Sequence, residues 1–293
     1  MKLVTYTLGG AEARPGILVG DGVVDTRDLA EAAGWPVDEV AALTTNRRIV
    51  GLPAERLGEL GRRAEDAERP IPIAEVRLGP PVPDPEKIIC LGLNYVEHAA
   101  ESHLAKPPDA PMFFAKFANS LIGPADQIVP PPVANKIDYE GELAVVIGSP
   151  ARDVAEEDAL AHVAGAMAFN DVSSRDLQRA NPLWTSGKAI DTFGPCGPAL
   201  VTLDELGDLT DLGIRTRVNG ETVQDGNSGE MVFGVAETIA FLSRTITLVP
   251  GDVIATGTPP GVGAARTPQL FLQSGDLVEV EIDRIGLLAN RVA

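Results

Sequence analysis

Two glutamates in one strand-like segment could bind a metal ion. Within residues 137–148 (IDYEGELAVVIG), one residue separates Glu140 from Glu142, and on a strand this spacing places both side chains on the same face. Asp171 ends the apolar run 163–171, where a carboxylate without a partner would be costly to bury. Three carboxylates without a nearby histidine or cysteine favour a hard divalent ion, Mg²⁺ or Mn²⁺, with Ca²⁺ as an alternative. The other interpretation of the two glutamates is an exposed polar strand face.

A histidine and a glutamate could activate water. His98 and Glu101 are three residues apart, so their side chains are neighbours if the segment is helical. A carboxylate that accepts a hydrogen bond from one ring nitrogen leaves the other nitrogen basic, as is needed to deprotonate water. An ordinary surface pair is the alternative. His103 and His162 have no such neighbour, and we interpret them as surface or structural residues.

A lysine and a glycine-rich segment could bind negative charge. Lys188 follows Gly187 and lies among apolar residues, which is compatible with a buried functional cation or with a solvated turn. Residues 256–263 (TGTPPGVG) are typical of a tight loop whose backbone N–H groups hold an anion or an oxyanion. A purely structural turn is equally compatible with this segment.

Several other catalytic motifs are excluded. Residues 261–266 (GVGAAR) have arginine where a dinucleotide-binding loop has its third glycine, and no glycine-rich loop continues into Gly-Lys-Ser/Thr. Ser228 lies in GNSGE, which departs from the G-x-S-x-G elbow of serine hydrolases at its last residue. The sequence has three histidines and no HExxH motif, which excludes zincin chemistry.

The composition excludes further classes of partner. The 293 residues include 24 Lys+Arg and 42 Asp+Glu, and the formal net charge of −18 argues against nucleic acid and anionic membranes. Cys90 and Cys196 are too few for a disulfide framework, and we expect reduced thiols. No apolar stretch approaches the ~18–20 residues of a membrane helix, and the first residues lack the apolar region of a signal peptide. We therefore expect a cytoplasmic protein.

The chain divides into three regions by composition. Residues 1–69 are predicted to form a small N-terminal α+β module, in which we find no recognisable site. Six prolines lie within residues 70–85, and these predict an extended connector because proline removes backbone donors and restricts the preceding residue. Residues 86–293 are predicted to form the main domain, which contains all the candidate site residues.

The elements that must position the candidate side chains are mostly strands. Aromatic residues make up only 4% of the chain, so the core must be built from Val, Leu, Ile and Ala. Helical patterns are predicted at 25–33, 54–67, 156–166 and 235–243. The strands and helices do not follow the regular βαβα alternation of a doubly wound fold. We therefore expect a mixed α/β fold that is mostly β.

Seven motifs, in their order along the chain, resemble the fumarylacetoacetate hydrolase superfamily. They span roughly residues 87–292 and are GLNYVEHAAE, FFAKFANSLIGP, DYEGELAVVIG, FNDVSSRDLQ, GKAIDTFGPCGP, VNGETVQDGN and LVPGDVIATGTPPGVG. The resemblance is to the bacterial two-domain type that hydrolyses acylpyruvates or diketo acids. It implies the β-sandwich or β-roll catalytic domain of that family, a small N-terminal module before it, and a homodimer.

The resemblance also assigns roles to the residues at matching positions. The expected metal ligands are Glu140, Glu142 and Asp171, and the expected catalytic groups are His98, Glu101 and Lys188, the lysine supporting an oxyanion or enolate. The expected substrate-binding residues are Arg175, Gln178 and Thr258. A segment from about residue 96 to 111, which includes Lys106, would close over the site.

The implied activity is metal-dependent hydrolysis of a C–C bond. The substrate would be a small anionic 2,4-dioxo acid (an acylpyruvate, fumarylpyruvate or a 2,4-diketo-3-deoxy sugar acid), and catabolic cleavage would give pyruvate and a carboxylic acid. Oxaloacetate decarboxylation and isomerisation of 2-hydroxyhepta-2,4-diene-1,7-dioate are alternatives, because both can use the same metal and enolate. A catalytically idle metal-binding or metabolite-binding protein is the alternative from a different class.

Overall fold

Two packed sheets form the framework of the protein. The computed structural model describes residues 1–101, 108–180 and 182–293, and all statements on elements refer to these ranges. A large sheet of twelve strands contains β1 (Lys2–Leu8), β2 (Arg14–Val19), β3 (Gly22–Asp25), β4 (Ile71–Pro72), β5 (Val76–Gly79), β6 (Ile88–Gly92), β7 (Met112–Lys116), β8 (Leu121–Ile122), β11 (Gly141–Ile147), β12 (Val163–Asn170), β14 (Gly194–Thr202) and β17 (Val253–Ala255). Its main path runs β4-β3-β2-β1-β14-β12-β11-β17-β6-β7, with β5 beside β1 and β8 beside β14.

The second sheet covers one face of the first. Its five strands are, in spatial order, β16 (Glu221–Asn227), β15 (Gly213–Val218), β18 (Leu277–Ile282), β19 (Gly286–Val292) and β9 (Gln127–Ile128). A separate short pair joins β10 (Ile137–Asp138) to β13 (Ser173–Ser174). Strands β15, β18 and β19 pack against β11, β12 and β14, and aliphatic side chains such as Val145, Ile214 and Val280 fill the interface. The result is the expected mixed fold, in which strands predominate.

The helices are short and lie around the sheets. They are α1 (Thr26–Ala32), α2 (Val37–Ala42), α3 (Asn46–Val50), α4 (Ala54–Glu65), α5 (Val96–Glu101), α6 (Glu156–Ala159), α7 (Arg175–Arg179), α8 (Thr185–Lys188), α9 (Leu203–Leu206) and α10 (Val235–Ser243). Helix α1 begins where predicted because the side chain of Asp25 caps the backbone N–H groups of Arg27 and Asp28. Helices α4 and α10 also agree with the predicted patterns.

The helix predicted at 156–166 is wrong in its second half. Helix α6 ends at Ala159, a 3₁₀ turn covers Leu160–His162, and strand β12 begins at Val163. Strand β12 lies between β11 and β14, and ladder hydrogen bonds to both neighbours satisfy its backbone. This tertiary pairing outweighs the helix propensity of the alanines in the segment.

The N-terminal region shares the large sheet with the rest of the chain. Strand β1 pairs with β14 through Lys2 opposite Val201 and Leu3 opposite Leu200. Within residues 70–85, β5 pairs with β1, and β4 pairs with β3. The division into module, connector and catalytic domain stays a prediction, but the hydrogen-bonded sheet is continuous across it.

Candidate active site

The three candidate metal ligands meet because two neighbouring strands begin and end side by side. Glu140 immediately precedes β11, and Asp171 immediately follows β12. The two strands are antiparallel with Gly141 opposite Asn170, so the start of one lies beside the end of the other. The Asp171 N–H donates to the Glu140 carbonyl at 2.8 Å, and the Asn170 side chain accepts from the Glu140 N–H at 3.0 Å.

Gly141, between the two glutamates, allows the second sheet to approach closely. A Cβ atom at this position would lie 2.1 Å from the Thr216 hydroxyl oxygen on β15. Only glycine therefore fits between the glutamates while the sheets stay packed. The Gly141 N–H donates to the Gln224 side-chain oxygen at 3.0 Å, which fixes this part of the backbone.

The carboxylates of Glu140, Glu142 and Asp171 form one buried cluster. One oxygen from each lies within 4.8 Å of the others, and the residues are 5%, 1% and 0% exposed. Burial, together with the charges of Asp171 and Glu140, raises the pKa of Glu142 well above its usual range. The Gly257 N–H donates to Glu142 at 2.9 Å. The negative charge of an ionised Glu142 is therefore poorly compensated by its surroundings.

Three buried cations surround the other two carboxylates. Lys188 Nζ lies 2.6 Å from Glu140 Oε2 and 2.7 Å from Asp171 Oδ2, which places one ammonium between two predicted ligands. Arg175 Nη2 lies 2.7 Å from Glu140 Oε1. Although burial by itself raises the pKa of Glu140, the charges of Lys188 and Arg175 hold it well below its usual range.

Lys116 is the third cation, and its role was not predicted from the sequence. It ends β7, is 2% exposed, and its Nζ lies 2.7 Å from Asp171 Oδ1. It also donates to the carbonyls of Val172 and Lys188. A charged residue at the end of an apolar strand, in FFAKF, was the available signal.

Asp138 is a second residue whose role was not predicted from the sequence. It is fully buried, and Arg175 Nε lies 2.7 Å from its Oδ2. Its carboxylate also accepts the N–H groups of Gly263 and Ala264 at 2.8 and 2.9 Å. Arg175 Nη1 donates to the Gln178 side-chain oxygen at 3.0 Å, so Asp138 orients both expected substrate-binding residues of α7.

The charges of the cluster suit a divalent cation. Four carboxylates (Asp138, Glu140, Glu142 and Asp171) and three cations (Lys116, Arg175 and Lys188) are buried here, so the ionised form of Glu142 leaves one excess negative charge. Buried charge without compensation is costly. Three clustered carboxylates supply the oxygen ligands that hard divalent ions prefer. The described residues therefore fit a divalent metal ion.

The His98–Glu101 pair lies on α5, and a loop holds its carboxylate. His98 Nδ1 is 3.5 Å from Glu101 Oε2, and the histidine is 7% exposed. Both oxygens of Glu101 accept the Gly261 N–H, at 2.9 and 3.1 Å. The histidine therefore faces a carboxylate whose position is set by residues 256–263.

The loop predicted to hold an anion binds the carboxylates of the site itself. Its N–H groups at Gly257, Gly261 and Gly263 donate to Glu142, Glu101 and Asp138, respectively. Gly261 has a φ of +109°, and a Cβ there would lie 2.1 Å from the Val223 carbonyl oxygen. The loop thereby fixes the positions of Glu142, Glu101 and Asp138, the last of which in turn holds Arg175.

Thr258 is also fixed within this loop. It is buried, donates to the Gly141 carbonyl at 2.9 Å and accepts from Gln224 Nε2 at 2.7 Å. Gln224 also donates to the Pro259 carbonyl. Gln224 thus links Gly141, the first residue of β11, to the loop that carries Thr258.

The site lies at the wall of a cavity of about 690 Å³. Of the nine expected site residues, eight line it, namely His98, Glu101, Glu140, Glu142, Arg175, Gln178, Lys188 and Thr258, and Asp171 lies beneath them in the cluster. Trp184 and Phe114 form an aromatic part of the wall, with ring centroids 5.6 Å apart. Lys188 Nζ lies 5.1 Å from the Phe114 centroid.

Three other predictions concern residues at or beyond this cavity. The closing segment at 96–111 lies partly outside the described residues, which omit 102–107 and with them His103 and Lys106. His162 lies away from the cavity lining, with its Nδ1 2.9 Å from the Ser149 hydroxyl. Cys90 and Cys196 are buried and free, and burial raises the pKa of both thiols.

Comparisons with known proteins identify the family of the chain. The family described as fumarylacetoacetate (FAA) hydrolase C-terminal matches residues 87–293. Oxaloacetate tautomerase FAHD2A, mitochondrial, of Homo sapiens is 48% identical over 236 residues, which cover 80% of this chain and 75% of that protein.

Solved structures also match this chain over its full length, and two of them carry informative names. Maleylpyruvate hydrolase from Sphingobium sp. SYK-6, in complex with manganese(II) ion and pyruvate, has a TM-score of 0.79 and 32% identity over 99% of its length. 2-Hydroxyhepta-2,4-diene-1,7-dioate isomerase from Mycobacterium marinum has a TM-score of 0.76 and 31% identity over 98% of its length.

Fold, site and similarity together define the class of the protein. The chain belongs to the fumarylacetoacetate hydrolase family of enzymes. The relatives above are named as a tautomerase, a hydrolase and an isomerase, so the class does not by itself select one reaction. Among the described residues, no helix is both long and apolar enough to span a membrane.

Proposed function

We propose that the protein is a divalent-metal-dependent enzyme that forms the enolate of a 2-oxo acid, and that its reaction is keto–enol tautomerisation of oxaloacetate. The observation that carries this proposal is one cavity lined both by the carboxylate cluster and by the His98–Glu101 pair. An electrophilic centre and a base on one cavity are what proton abstraction beside a carbonyl requires. The 48% identity to a human oxaloacetate tautomerase favours this substrate.

Glu140, Glu142 and Asp171 would hold the metal ion, for which we propose Mg²⁺ or Mn²⁺. When bound, such an ion withdraws electrons from the 2-oxo group and thereby acidifies the hydrogens on C3. Lys188, between Glu140 and Asp171, adds a buried positive charge next to the developing enolate oxygen. Arg175 and Gln178 would bind the adjacent carboxylate of the substrate.

His98 would move the proton. Its unprotonated nitrogen takes a proton from C3, the C–H electron pair becomes the C2=C3 bond, and the carbonyl pair moves to the oxygen on C2. That oxygen takes a proton from solvent to complete the enol, and the protonated His98 returns its proton to solvent. The reverse steps restore the ketone. Glu101, held by the Gly261 N–H, stabilises the histidinium that exists between the two transfers.

Hydrolysis of a 2,4-dioxo acid is the second candidate, and the cavity volume favours it. A space of about 690 Å³ is larger than a four-carbon diacid needs. Here His98 would take a proton from water, the oxygen would bond to C4, and the C3–C4 bond would break to release pyruvate enolate and a carboxylic acid. Maleylpyruvate hydrolase, similar over the full chain, is named for a reaction of this class.

A substrate panel separates the candidates. Purified protein with Mn²⁺ is incubated with enol oxaloacetate, with acylpyruvates and with 2,4-diketo-3-deoxy sugar acids, while enol absorbance and pyruvate release are followed. We expect rapid loss of the enol absorbance without pyruvate release from oxaloacetate. Pyruvate formed only from 2,4-dioxo acids would show that the reaction is hydrolysis and not tautomerisation. Pyruvate formed from oxaloacetate would indicate decarboxylation. Conversion of 2-hydroxyhepta-2,4-diene-1,7-dioate, which is included in the same panel, would indicate isomerisation. Glu142→Gln is the control for metal-independent background.

The expected assembly and location are further parts of the proposal. A homodimer is supported by edge strand β7, where Phe113 is 43% exposed and the following Phe117 is 56% exposed. Light scattering on the purified protein tests it.

The cytoplasmic location stays a prediction from the sequence, and the human relative is named as mitochondrial.

A further inference from the structure

Two arginines line the cavity in addition to the expected site residues. Arg179, at the end of α7, is exposed and makes neither a hydrogen bond nor an ion pair with any described residue. Arg266 is partly buried, donates to the Val223 carbonyl at 3.3 Å and lies 3.5 Å from the exposed Glu221 carboxylate. Neither arginine contacts the carboxylate cluster through a hydrogen bond or an ion pair within the described ranges.

Arg179 lies about one helical turn beyond Arg175, which is next to the carboxylate cluster. Arg175, Gln178 and Arg179 all line the cavity, as expected for positions i, i+3 and i+4 on one helix face. Four residues of helix advance about 6 Å along the axis. Three C–C bonds of about 1.5 Å each separate the carboxyl carbons of a four-carbon diacid, so its outer oxygens span a similar distance.

The other cation on this helix is already paired, whereas Arg179 is available. Arg175 contacts Asp138, Glu140 and Gln178 and can offer only its remaining donor positions to a ligand. The acidic side chains lining the cavity are also engaged: Glu101 with Gly261, Glu140 with Lys188, and Glu142 with Gly257. An anion entering the cavity therefore finds Arg179 as a planar donor without a competing partner among the described residues.

We propose that Arg179, assisted by Arg266, forms a second anion subsite that binds the carboxylate of the substrate farther from the 2-oxo group. The subsite selects dianionic 2-oxo acids over monoanionic ones. The inference rests on the proposed function, since it names the class of substrate which that site takes. It also explains how a protein with a net charge of −18 accepts a dianion: the positive charge is concentrated on one helix and one loop.

The test compares ligands that differ only in the remote carboxylate. Binding of L-malate and L-lactate to the Mn²⁺-loaded protein is measured by calorimetry for the wild type, Arg179→Gln, Arg179→Lys and the matched control Arg69→Gln, which changes an exposed arginine outside the cavity lining. We expect the wild type to prefer malate and Arg179→Gln to lose roughly ten- to a hundredfold in malate affinity while lactate affinity stays within twofold. Arg179→Lys should recover part of the preference, and Arg69→Gln should match the wild type.

Catalysis supplies a second readout. Tautomerisation of oxaloacetate should lose a similar factor in kcat/KM in Arg179→Gln, whereas deuterium exchange at C3 of pyruvate, a monoanion, should not change. Equal losses for both ligands, or no loss for malate, would overturn the subsite, as would a wild type without preference for malate. If the wild type prefers malate through Arg179 but does not tautomerise oxaloacetate, the subsite stands and the proposed reaction fails.

Discussion

The Gly261 N–H donates to both carboxylate oxygens of Glu101, at 2.9 and 3.1 Å, although 160 residues separate them in sequence. Through this contact, the loop that also fixes Glu142 and Asp138 holds the partner of His98. In the proposed mechanism, proton transfer and metal binding would therefore depend on the same short stretch of backbone. Disturbing the loop should impair both parts of the site.

Gly261→Ala should lower kcat by on the order of a hundredfold, because it misplaces catalytic groups. The new Cβ would lie 2.1 Å from the Val223 carbonyl oxygen, at a φ of +109° that alanine rarely adopts. Gly275→Ala is the matched control: it also has a positive φ, +92°, but its Cβ would meet no atom within 4 Å. Steady-state kinetics and melting temperatures of both variants make the measurement. Equal kinetic losses in the two variants would show that backbone strain alone, and not the Glu101 contact, is responsible.

His98→Gln should reduce tautomerisation by roughly 10²–10⁴-fold while metal binding is retained. The histidine lies 3.5 Å from Glu101 and is not part of the carboxylate cluster, so its loss removes the base without removing a metal ligand. Rates are compared with Mn²⁺ affinity from calorimetry on the same preparations. A variant that keeps the wild-type rate would show that another group moves the proton.

Lys116→Met should destabilise the protein by about 3 kcal/mol, because it leaves the buried Asp171 with less compensating charge. Denaturant unfolding of the metal-free protein measures the free energy of unfolding. Lys136→Met, at an exposed lysine, is the control and should change it by less than about 0.5 kcal/mol. Part of the loss in Lys116→Met should return on addition of Mn²⁺. A loss no larger than that of the control would remove Lys116 from the electrostatic support of the cluster.

The stabilisation of the folded protein by a bound metal ion should increase with pH. Burial, Asp171 and Glu140 raise the pKa of Glu142, so the folded metal-free protein binds a proton there more tightly than the unfolded chain does. The free energy of unfolding therefore falls as the pH rises from the usual carboxyl pKa to the raised one. A divalent ion replaces that proton, and the melting temperature should rise most on Mn²⁺ addition at the higher pH.

Glu142→Gln is the variant that isolates this effect. The neutral amide has no proton to lose, so both the pH-dependent fall in stability and most of the Mn²⁺-induced rise should disappear. Melting temperatures across a pH series, with and without Mn²⁺, provide the comparison. A pH dependence unchanged in this variant would assign the effect to another carboxylate.

Local patterns in the sequence singled out the individual candidate metal ligands, but they predicted neither their association nor the charge balance of the site. The spacing of Glu140 and Glu142 follows from strand periodicity, and Asp171 stands out at the end of an apolar run. The structure brings the three together through the register of Gly141 opposite Asn170. Strand pairing is a long-range property, and without the resemblance to a family nothing local linked these residues.

The supporting residues were missed for the same physical reason. Lys116 is 55 residues from Asp171, and Asp138 is 37 residues from Arg175, so neither contact leaves a local pattern. Residues 163–166 of the predicted helix form the start of β12 instead, because pairing with β11 and β14 overrides local propensity. By contrast, α1, with its Asp25 cap, could be predicted because its signals lie within one helical turn.

The most direct test of the central claim is the rate of oxaloacetate tautomerisation as Mn²⁺ is added to metal-stripped protein. Binding is followed in parallel by calorimetry, for the wild type and for Glu142→Gln. The rate should rise from the uncatalysed level and saturate at one ion per chain in the wild type, and it should stay at the uncatalysed level in the variant. A full rate in the presence of a chelator, or saturation in Glu142→Gln equal to that of the wild type, would contradict metal-dependent enolate chemistry at this carboxylate cluster.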